Sequence, residues 1–399
     1  MILKQIFVIA PLYLFPPAAA NQQDIVGRIR LFQELGYQVT VCTFPLPHQQ
    51  FDIAADKKKY ELNIELLERK GDSSFSEYRL PKLWYKSSQL INQESFNKLS
   101  GFVQRDKPDV LWFEYSSLSP LAHAVAKNYK GQIIFRYHNH ELRHFLEKLY
   151  LSLKDNLWSS LPAIIGAVPN VTGISRCDRL MFSVAKKVAC ISTRDMSYLR
   201  KYSKIIFLPY FPPNEVIDHK NNPAKDVIDV FYFGSDLTNN VNKSGLDFIA
   251  RKVIPCLKER NIDFITFHIL GKNPPEEYKS GDIPHLKLHG FVDDLDRFLE
   301  DMDVGIIPVF YGMGFKVKTY ESLRRGFPVV ASKRGLSNFN GIDGDDYFSV
   351  QIPEEFVEKL VLLRDASLRE KLGNNALKLI ARDFSKEEVM RVLENILEV

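Results

Sequence analysis

Two glycines separated by one residue stand between two apolar runs in the stretch from Pro308 to Ser332. The run before Gly312 and the run Val329-Val330-Ala331 both have the composition of buried strands. The order is therefore strand, glycine loop, helix and strand. Glycines let a ligand approach the backbone N–H groups at a helix start, where anions bind. The stretch predicts a phosphate-binding loop within an α/β sheet.

Charged side chains follow the glycines at Lys316, Lys318 and Glu321. The two lysines add mobile positive charge that suits phosphate. Glu321 falls about one turn further along the predicted helix, where its carboxylate can accept hydrogen bonds from sugar hydroxyls. Two alternatives stay open at this point. One is a solvated helix face, and the other is a structural salt bridge from Glu321 to Arg324 or Arg325.

Apolar strands alternate with helices along both halves of the 399-residue chain. An amphipathic helix from Gln22 to Leu35 joins an apolar first strand to a second strand at 37–41. One long helix is predicted at 245–260. Further strands are predicted at 109–115, 132–137, 188–192, 204–210, 230–233, 264–270 and 286–291. This alternation predicts an α/β fold with two doubly wound parallel sheets.

The segment 213–226 is rich in proline and asparagine and poor in apolar residues, which is typical of a linker. It divides the chain into a first domain at 1–212 and a second domain at 227–384. A final helix at 385–399 carries an apolar stripe that includes Val389, Val392 and Leu393.

The first twenty residues also fit a signal peptide, with an apolar run from Ile6 to Phe15 and then Ala18-Ala19-Ala20. Pro11 interrupts that run, and the following helix and strand continue the α/β pattern. We therefore expect the run to form the first strand of the fold, because cleavage would destroy the domain.

Positive charge is concentrated in the first half of the chain. Residues 1–224 carry 29 Lys and Arg against 20 Asp and Glu, whereas the whole chain has a net charge of +4. Such a half can contact an anionic membrane surface, or its charge can be spread evenly and serve only solubility. No nucleic-acid-binding module accompanies the charge. The sequence predicts a cytoplasmic protein, because its four cysteines are scattered and it has no apolar run long enough to span a bilayer. If the basic half contacts a membrane, the protein is expected to be peripheral at the inner face of that membrane.

The glycine loop resembles the nucleotide-sugar loop of GT-B glycosyltransferases of the retaining, family 4-like group, which reads G-x-G-x-K-x-K-x-x-E-A-L-x-x-G-x-P-V-V. Ser322 replaces the alanine of this pattern; the matching positions are Gly312, Gly314, Lys316, Lys318, Glu321, Leu323, Gly326, Pro328, Val329 and Val330. The resemblance implies two Rossmann-like domains facing across a cleft, with the terminal helix packed back onto the first domain. It also implies a UDP- or GDP-linked sugar in the second domain and a glycan or lipid-linked acceptor in the first, with no metal or other cofactor.

The resemblance assigns roles to further residues. Arg136-Tyr137-His138-Asn139-His140-Glu141 is similar to the family's R-x-H-N-x-E, in which the first histidine contacts the transferred sugar. That histidine would be His138, and the catalytic group would be His138, Lys316 and Lys318. A metal or nuclease site at these histidines is the alternative. The remaining nucleotide-sugar contacts implied by family motifs are Gly234, Ser235, Asn242, Lys243, Phe291, Val292, Met313 and Phe315.

Two features depart from the family pattern, and a third resembles a motif of the other glycosyltransferase fold. Most retaining members carry a glutamate where this chain has Met313, and the usual glycine-rich turn after the first strand is replaced by Pro16-Pro17-Ala18-Ala19-Ala20. Asp294 and its acidic neighbours look like a metal-binding D-x-D, but they precede a predicted helix, where an acidic residue acts as a cap.

The sequence thus predicts a hexosyltransferase that transfers a sugar from a nucleoside diphosphate sugar during surface polysaccharide synthesis. It is expected to be metal-independent and retaining. A nucleotide-sugar epimerase or hydrolase on the same fold, and a non-catalytic GT-B binding module, are the alternatives.

Overall fold

The computed structural model describes residues 4–45, 50–69, 91–155, 161–214, 227–279 and 283–398. Most of the predicted linker, from residue 215 to 226, lies outside these ranges. The chain divides into two compact units. Unit 1 comprises Met1–Pro213, Met313–Phe315 and Val389–Val399, and unit 2 comprises Asn214–Gly312 and Lys316–Glu388.

The sheet of unit 1 has seven strands within the described ranges, in the order β3-β2-β1-β4-β5-β6-β7. Every neighbouring pair is parallel. The strands are β1 (Gln5–Ala10), β2 (Gln38–Thr43), β3 (Asn63–Leu66), β4 (Val110–Glu114), β5 (Gln132–Tyr137), β6 (Lys187–Cys190) and β7 (Ile205–Phe207). The helices before β8 are α1 (Ala20–Glu34), α2 (Ile53–Tyr60), α3 (Gln93–Asp106), α4 (Ser119–Ala126), α5 (Glu141–Asp155), α6 (Leu161–Val184) and α7 (Thr193–Ser197).

Both faces of the unit 1 sheet are buried, because side chains alternate across each strand. On β1, Ile6, Val8 and Ala10 enter one apolar cluster, while Phe7 and Ile9 enter another. The first cluster also holds the apolar stripe of the last helix, α15 (Lys386–Leu397). The apolar run after Lys4 is therefore a central strand of the sheet, as predicted.

Unit 2 contains a sheet of six parallel strands among the described residues, in the order β10-β9-β8-β11-β12-β13. The strands are β8 (Ile228–Asp236), β9 (Ile265–Lys272), β10 (Leu286–Gly290), β11 (Val304–Ile307), β12 (Val329–Ser332) and β13 (Phe348–Val350). The helices are α8 (Asn240–Phe248), α9 (Ile254–Glu259), α10 (Glu276–Lys279), α11 (Leu295–Leu299), α12 (Val317–Leu323), α13 (Pro353–Leu362) and α14 (Ala366–Asp383). The predicted α/β fold with two doubly wound parallel sheets is confirmed.

The long helix predicted at 245–260 is interrupted. A π-helical turn at Ile249–Val253 separates α8 from α9. Pro255 lies in the first turn of α9 and has no N–H to donate to the preceding turn, so a regular α-helical ladder cannot run through it. The predicted helix is therefore present, but it begins earlier, at Asn240, and contains a π-helical turn that the sequence pattern did not indicate.

Candidate functional site

The glycine loop follows β11 and ends at α12. Gly312 has φ +95° and Gly314 has φ +74°, a conformation that other residues adopt with strain. Buried Lys316 donates a hydrogen bond from Nζ to the carbonyl oxygen of Gly312 at 2.9 Å. The lysine side chain therefore folds back along the loop and places its charge against the backbone turn.

Lys318 extends from α12 toward the middle of β8 and the start of α8. Its Nζ donates to Asn242 Oδ1 at 2.7 Å and to Tyr232 Oη at 3.0 Å. No carboxylate pairs with Lys318 in the part of the chain that the structure describes. Burial lowers the pKa of the Lys318 ammonium to about 7, because the enclosing groups are an aromatic ring, a hydroxyl and an amide.

Glu321 is buried on α12, and its two carboxylate oxygens have different surroundings. Oε2 accepts a hydrogen bond from Arg324 Nε at 2.9 Å and another from Arg325 Nη1. Oε1 is buried and accepts no hydrogen bond from the described residues. The salt bridge left open by the sequence is thus present, and it engages only one of the two oxygens.

Asn242 is the residue that connects the turn after β8 with Lys318. Its Nδ2 donates to the carbonyl oxygen of Asp236 at 2.6 Å. A Cβ atom on Gly234 would lie 3.0 Å from the Asn242 amide, so glycine allows this close packing. Ser235 is exposed near the end of β8. The structure thus brings Gly234, Asn242 and Lys318 together.

Lys243 is directed away from this group. Its Nζ lies 3.0 Å from Asp247 Oδ2 and 2.9 Å from Glu277 Oε1. Two carboxylates therefore already balance its charge. The structure does not bring Lys243 to Lys316 and Lys318.

Phe291 and Val292 follow β10 and have different environments. The Phe291 side chain is 59% exposed, and Lys272 Nζ lies 4.3 Å from its ring centroid. Val292 packs against the apolar cluster around Phe327. An exposed ring with a neighbouring cation suits stacking by a planar ligand.

The acidic segment after Val292 forms a helix cap, as predicted. Asp294 is the N-cap of α11 and accepts a hydrogen bond from Arg297 N at 3.0 Å. Asp296 Oδ1 accepts from Arg325 Nε at 2.7 Å. No group of three or more His, Cys, Asp and Glu side chains suited to a metal ion occurs among the described residues.

The tripeptide Met313–Phe315 belongs to unit 1. There, Gly314 N–H donates to Asp195 Oδ2 at 3.1 Å, and the Phe315 ring stacks on Tyr210 at 5.2 Å between centroids. A Cβ atom on Gly314 would lie 2.2 Å from Asn139 Oδ1, so no other residue fits without movement. Met313 is buried.

His138 follows β5 and is buried in unit 1. Its Nε2 lies 2.7 Å from Glu114 Oε2, and its ring stacks on Tyr115 at 4.1 Å between centroids. His140 donates its backbone N–H to Asp195 Oδ2 at 2.8 Å. Burial lowers the pKa of the His140 side chain.

A buried charge network surrounds His138. Arg28 binds Glu114 Oε1 at 2.6 Å and Asp24 Oδ2 at 2.9 Å, and Arg136 binds Asp24 Oδ1 at 3.1 Å. Burial alone would raise the pKa of Asp24, but the guanidiniums of Arg136 and Arg28 hold that pKa at about 2. The carboxylates and guanidiniums thus stay ionised in a site closed to solvent.

Sequence reasoning did not single out Asp24, Arg28 or Glu114. The available signal was the presence of charged residues inside segments that are otherwise apolar. Glu114 ends the apolar strand β4, and Asp24 and Arg28 lie one turn apart on an amphipathic helix. The i,i+4 spacing of Asp24 and Arg28 fits a pair on one helix, but the pairs Arg28–Glu114 and Arg136–Asp24 could not be anticipated, because their partners are far apart along the chain.

A surface cavity of about 550 Å³ lies beside His140 in unit 1. Its walls combine aromatic, apolar and charged side chains: His140, Leu142, Arg143, Leu146, Glu147, Tyr150 and Tyr198. Tyr150 is 60% exposed, so one ring is open to a ligand.

Comparison with known proteins adds a family match in unit 2. Residues 228–365 match the family described as "Glycosyl transferases group 1". A search of curated proteins found no match. In the described ranges, no helix is long and apolar enough to cross a membrane.

Several solved structures share the fold of the whole chain. TarM, known from S. aureus, is 12% identical with a TM-score of 0.68, and the alignment covers 99% of each chain. HepE from Anabaena, solved with UDP-glucose, is 12% identical with a TM-score of 0.65 and coverage of 99% and 100%. WaaB, a lipopolysaccharide outer core galactosyltransferase, is 13% identical with a TM-score of 0.65 and coverage of 99% of each chain. These likenesses show a GT-B type of fold with two Rossmann-like units. Together with the family match, they support a glycosyltransferase.

Proposed function

We propose that this chain transfers a hexosyl group from a UDP- or GDP-linked sugar to a glycan or lipid-linked glycan acceptor during surface polysaccharide synthesis. Unit 2 would bind the nucleotide, and unit 1 would bind the acceptor. The observation that carries the proposal is the buried, unpartnered Oε1 atom of Glu321.

A buried acceptor without a donor costs about 1–3 kcal/mol. The arginine contacts to Oε2 fix the orientation of the Glu321 carboxylate, so Oε1 cannot turn toward them. The hydroxyl groups of a ribose are donors that would satisfy Oε1 and would be held with charge-assisted strength. This assignment supports nucleotide binding beside the glycine loop.

Charge stabilisation of the departing diphosphate is the main catalytic requirement of such a transfer. Lys316 and Lys318 lie on either side of the start of α12. The side-chain nitrogen of Lys318 donates to a hydroxyl and an amide oxygen, whereas that of Lys243 contacts two carboxylates. We assign these two lysines to the diphosphate, which makes a metal ion unnecessary for neutralising it. Phe291, exposed after β10, is assigned to the nucleotide base.

The acceptor is assigned to the cavity beside His140. Sugar rings present apolar C–H faces, which pack against exposed aromatic rings such as Tyr150. Arg143 would donate to hydroxyl or anionic groups of the acceptor, and Glu147 would accept hydrogen bonds from its hydroxyls. His138 would contact the transferred sugar. The retaining outcome is proposed from the motif resemblance alone, because Met313 replaces the usual glutamate.

Product analysis with radiolabelled sugar nucleotides tests the proposal. The protein is incubated with UDP- and GDP-linked hexoses and with mixed glycan and lipid-linked acceptors, and the label is followed by chromatography. We expect label in the acceptor and an α-linked product from an α-linked donor, identified by anomeric NMR coupling. Label found only in free sugar or in an epimerised donor would instead establish hydrolysis or epimerisation. No turnover with intact nucleotide binding would indicate a non-catalytic module.

A further inference from the structure

Glu114 and His138 lie at the carboxyl ends of two neighbouring strands of the unit 1 sheet. Glu114 is the last residue of β4, and His138 comes directly after β5, with Glu114 opposite Arg136 in the register. Both side chains are buried, and Nε2 of His138 lies 2.7 Å from Oε2 of Glu114.

The surroundings of Glu114 determine which imidazole nitrogen carries the proton. Its Oε1 receives hydrogen bonds from Arg28 Nη2 at 2.6 Å and Trp112 Nε1 at 2.9 Å. Burial alone would raise the pKa of Glu114, but the Arg28 charge and the contact with His138 lower that pKa overall. An ionised carboxylate only accepts hydrogen bonds. The proton shared with Glu114 therefore belongs to Nε2 of His138.

The charged groups of the buried network around His138 balance one another. Two carboxylates, Asp24 and Glu114, already balance two guanidiniums, Arg28 and Arg136. In the neutral ring with a proton on Nε2, the other nitrogen, Nδ1, presents a lone pair.

The ring is also held in one orientation. Tyr115 stacks on it with an angle of 18° between the ring planes, and the backbone of Tyr115 has φ +73°. A bulky residue at positive φ is strained, so the surrounding contacts maintain this arrangement. Nδ1 forms no hydrogen bond with any residue in the described ranges.

We propose that Glu114 is a positioning residue: it fixes His138 as the Nε2–H tautomer, so that Nδ1 accepts a hydrogen bond from a hydroxyl group of the bound sugar. The role of His138 toward the sugar rests on the proposed function. The role of Glu114 toward His138 rests on the geometry of unit 1.

Nitrogen NMR of the wild-type protein tests the tautomer without any substrate. The chain has 9 histidines, and His138 is assigned by the signal that disappears in His138→Gln. We expect an unprotonated Nδ1 and a protonated Nε2 at neutral pH. A protonated Nδ1, in either the other tautomer or the imidazolium, would overturn the proposal.

Two variants then separate positioning from a structural role. In Glu114→Gln the tautomer should become mixed and kcat should fall about 10- to 100-fold, the loss expected for one charge-assisted hydrogen bond, while the donor KM changes little. His138→Gln keeps a donor near the Nε2 position for Glu114 but has no acceptor at the Nδ1 position. It should therefore melt close to wild type and lose activity to a similar extent.

The outcomes are distinguishable. A folded Glu114→Gln protein with an unchanged tautomer and unchanged kcat would contradict the positioning role. If Glu114→Gln does not fold, the wild-type spectrum and His138→Gln decide the question, and a fully active His138→Gln protein contradicts the role of Nδ1. A wild-type protein that transfers no sugar contradicts the proposed function, whereas the spectrum still tests the tautomer.

Discussion

The ammonium nitrogen of Lys318 lies 4.3 Å from the centroid of the Tyr232 ring and 3.0 Å from its hydroxyl oxygen. The amide oxygen of Asn242 also accepts a hydrogen bond from this nitrogen. The groups that contact the lysine ammonium are therefore all neutral. This environment keeps a cation poorly compensated until an anion arrives, which is the condition expected at a phosphate site.

The first prediction concerns stability and pH. The folded-state pKa of Lys318 is lowered from 10.5 to about 7, so between these values the unfolded chain binds a proton that the folded protein does not. Stability due to this residue therefore rises with pH across that window, and the full cost is present below about pH 7. We expect Lys318→Met to raise the melting temperature by roughly 2–4 °C at pH 6, about 1 kcal/mol, with the difference shrinking toward pH 10.

Exposed Lys252 provides the matched control for this measurement. Lys252→Met should leave the melting temperature unchanged at both pH values. A Lys318→Met protein that is less stable than wild type at pH 6 would show that the contacts with Tyr232 and Asn242 outweigh the cost of burial.

The second prediction concerns catalysis by Lys316. Replacing it with alanine removes a positive charge beside the glycine loop, and turnover should fall more than about 100-fold through lost stabilisation of the diphosphate. Lys252→Ala is again the control and should retain turnover. Wild-type rates in a Lys316→Ala protein with an unchanged circular dichroism spectrum would remove this lysine from the mechanism.

Much of the fold could be predicted from the sequence, because long apolar runs between turns mark buried strands. β5 was predicted with its observed limits, Gln132–Tyr137. The short strands β3 and β13, with 4 and 3 residues, were missed because so few residues carry no clear periodicity. Their pairing depends on neighbouring strands rather than on local pattern.

The candidate site was predictable only where a local motif marked it. The glycines and lysines of the loop stand close together in sequence, whereas Glu114 and Asp24 meet Arg28 and Arg136 through the topology of the sheet. Glu321 shows a further limit. Its spacing fitted both an arginine salt bridge and a free carboxylate oxygen, and the structure contains both.

The third prediction concerns the acceptor cavity. Removing the exposed Tyr150 ring in Tyr150→Ala should raise the acceptor KM roughly 2- to 10-fold, corresponding to about 0.5–1.5 kcal/mol for one packed aromatic ring. The donor KM should not change. Tyr150→Phe keeps the ring and should behave like wild type. A similar rise in both variants would assign the effect to the hydroxyl group, and no rise in either would place the acceptor elsewhere.

The fourth prediction concerns the basic half of the chain, residues 1–224. If its charge contacts a membrane, sedimentation with anionic vesicles should decrease steadily between about 0.01 M and 1 M salt, as the Debye length falls from about 30 Å to about 3 Å. Neutral vesicles are the control. Equal binding to neutral and anionic vesicles at low salt would favour a charge that serves only solubility.

The fifth prediction tests the assignment of Glu321 to the ribose. In Glu321→Gln the amide oxygen should face the donors Arg324 and Arg325, which turns the amide NH2 group toward the ligand. A ribose hydroxyl would then meet a donor instead of an acceptor. The expected loss of nucleotide affinity is about 1.5–3 kcal/mol, or roughly 10- to 150-fold.

Calorimetric titration of the wild type and Glu321→Gln with UDP or GDP, and with the matching 2′,3′-dideoxy nucleotide, tests the central claim most directly. In the wild type, removal of the two hydroxyls should weaken binding roughly 10- to 150-fold. In Glu321→Gln the two nucleotides should bind almost equally, whatever the variant does to stability. An equal loss on removing the hydroxyls in both proteins would contradict the account.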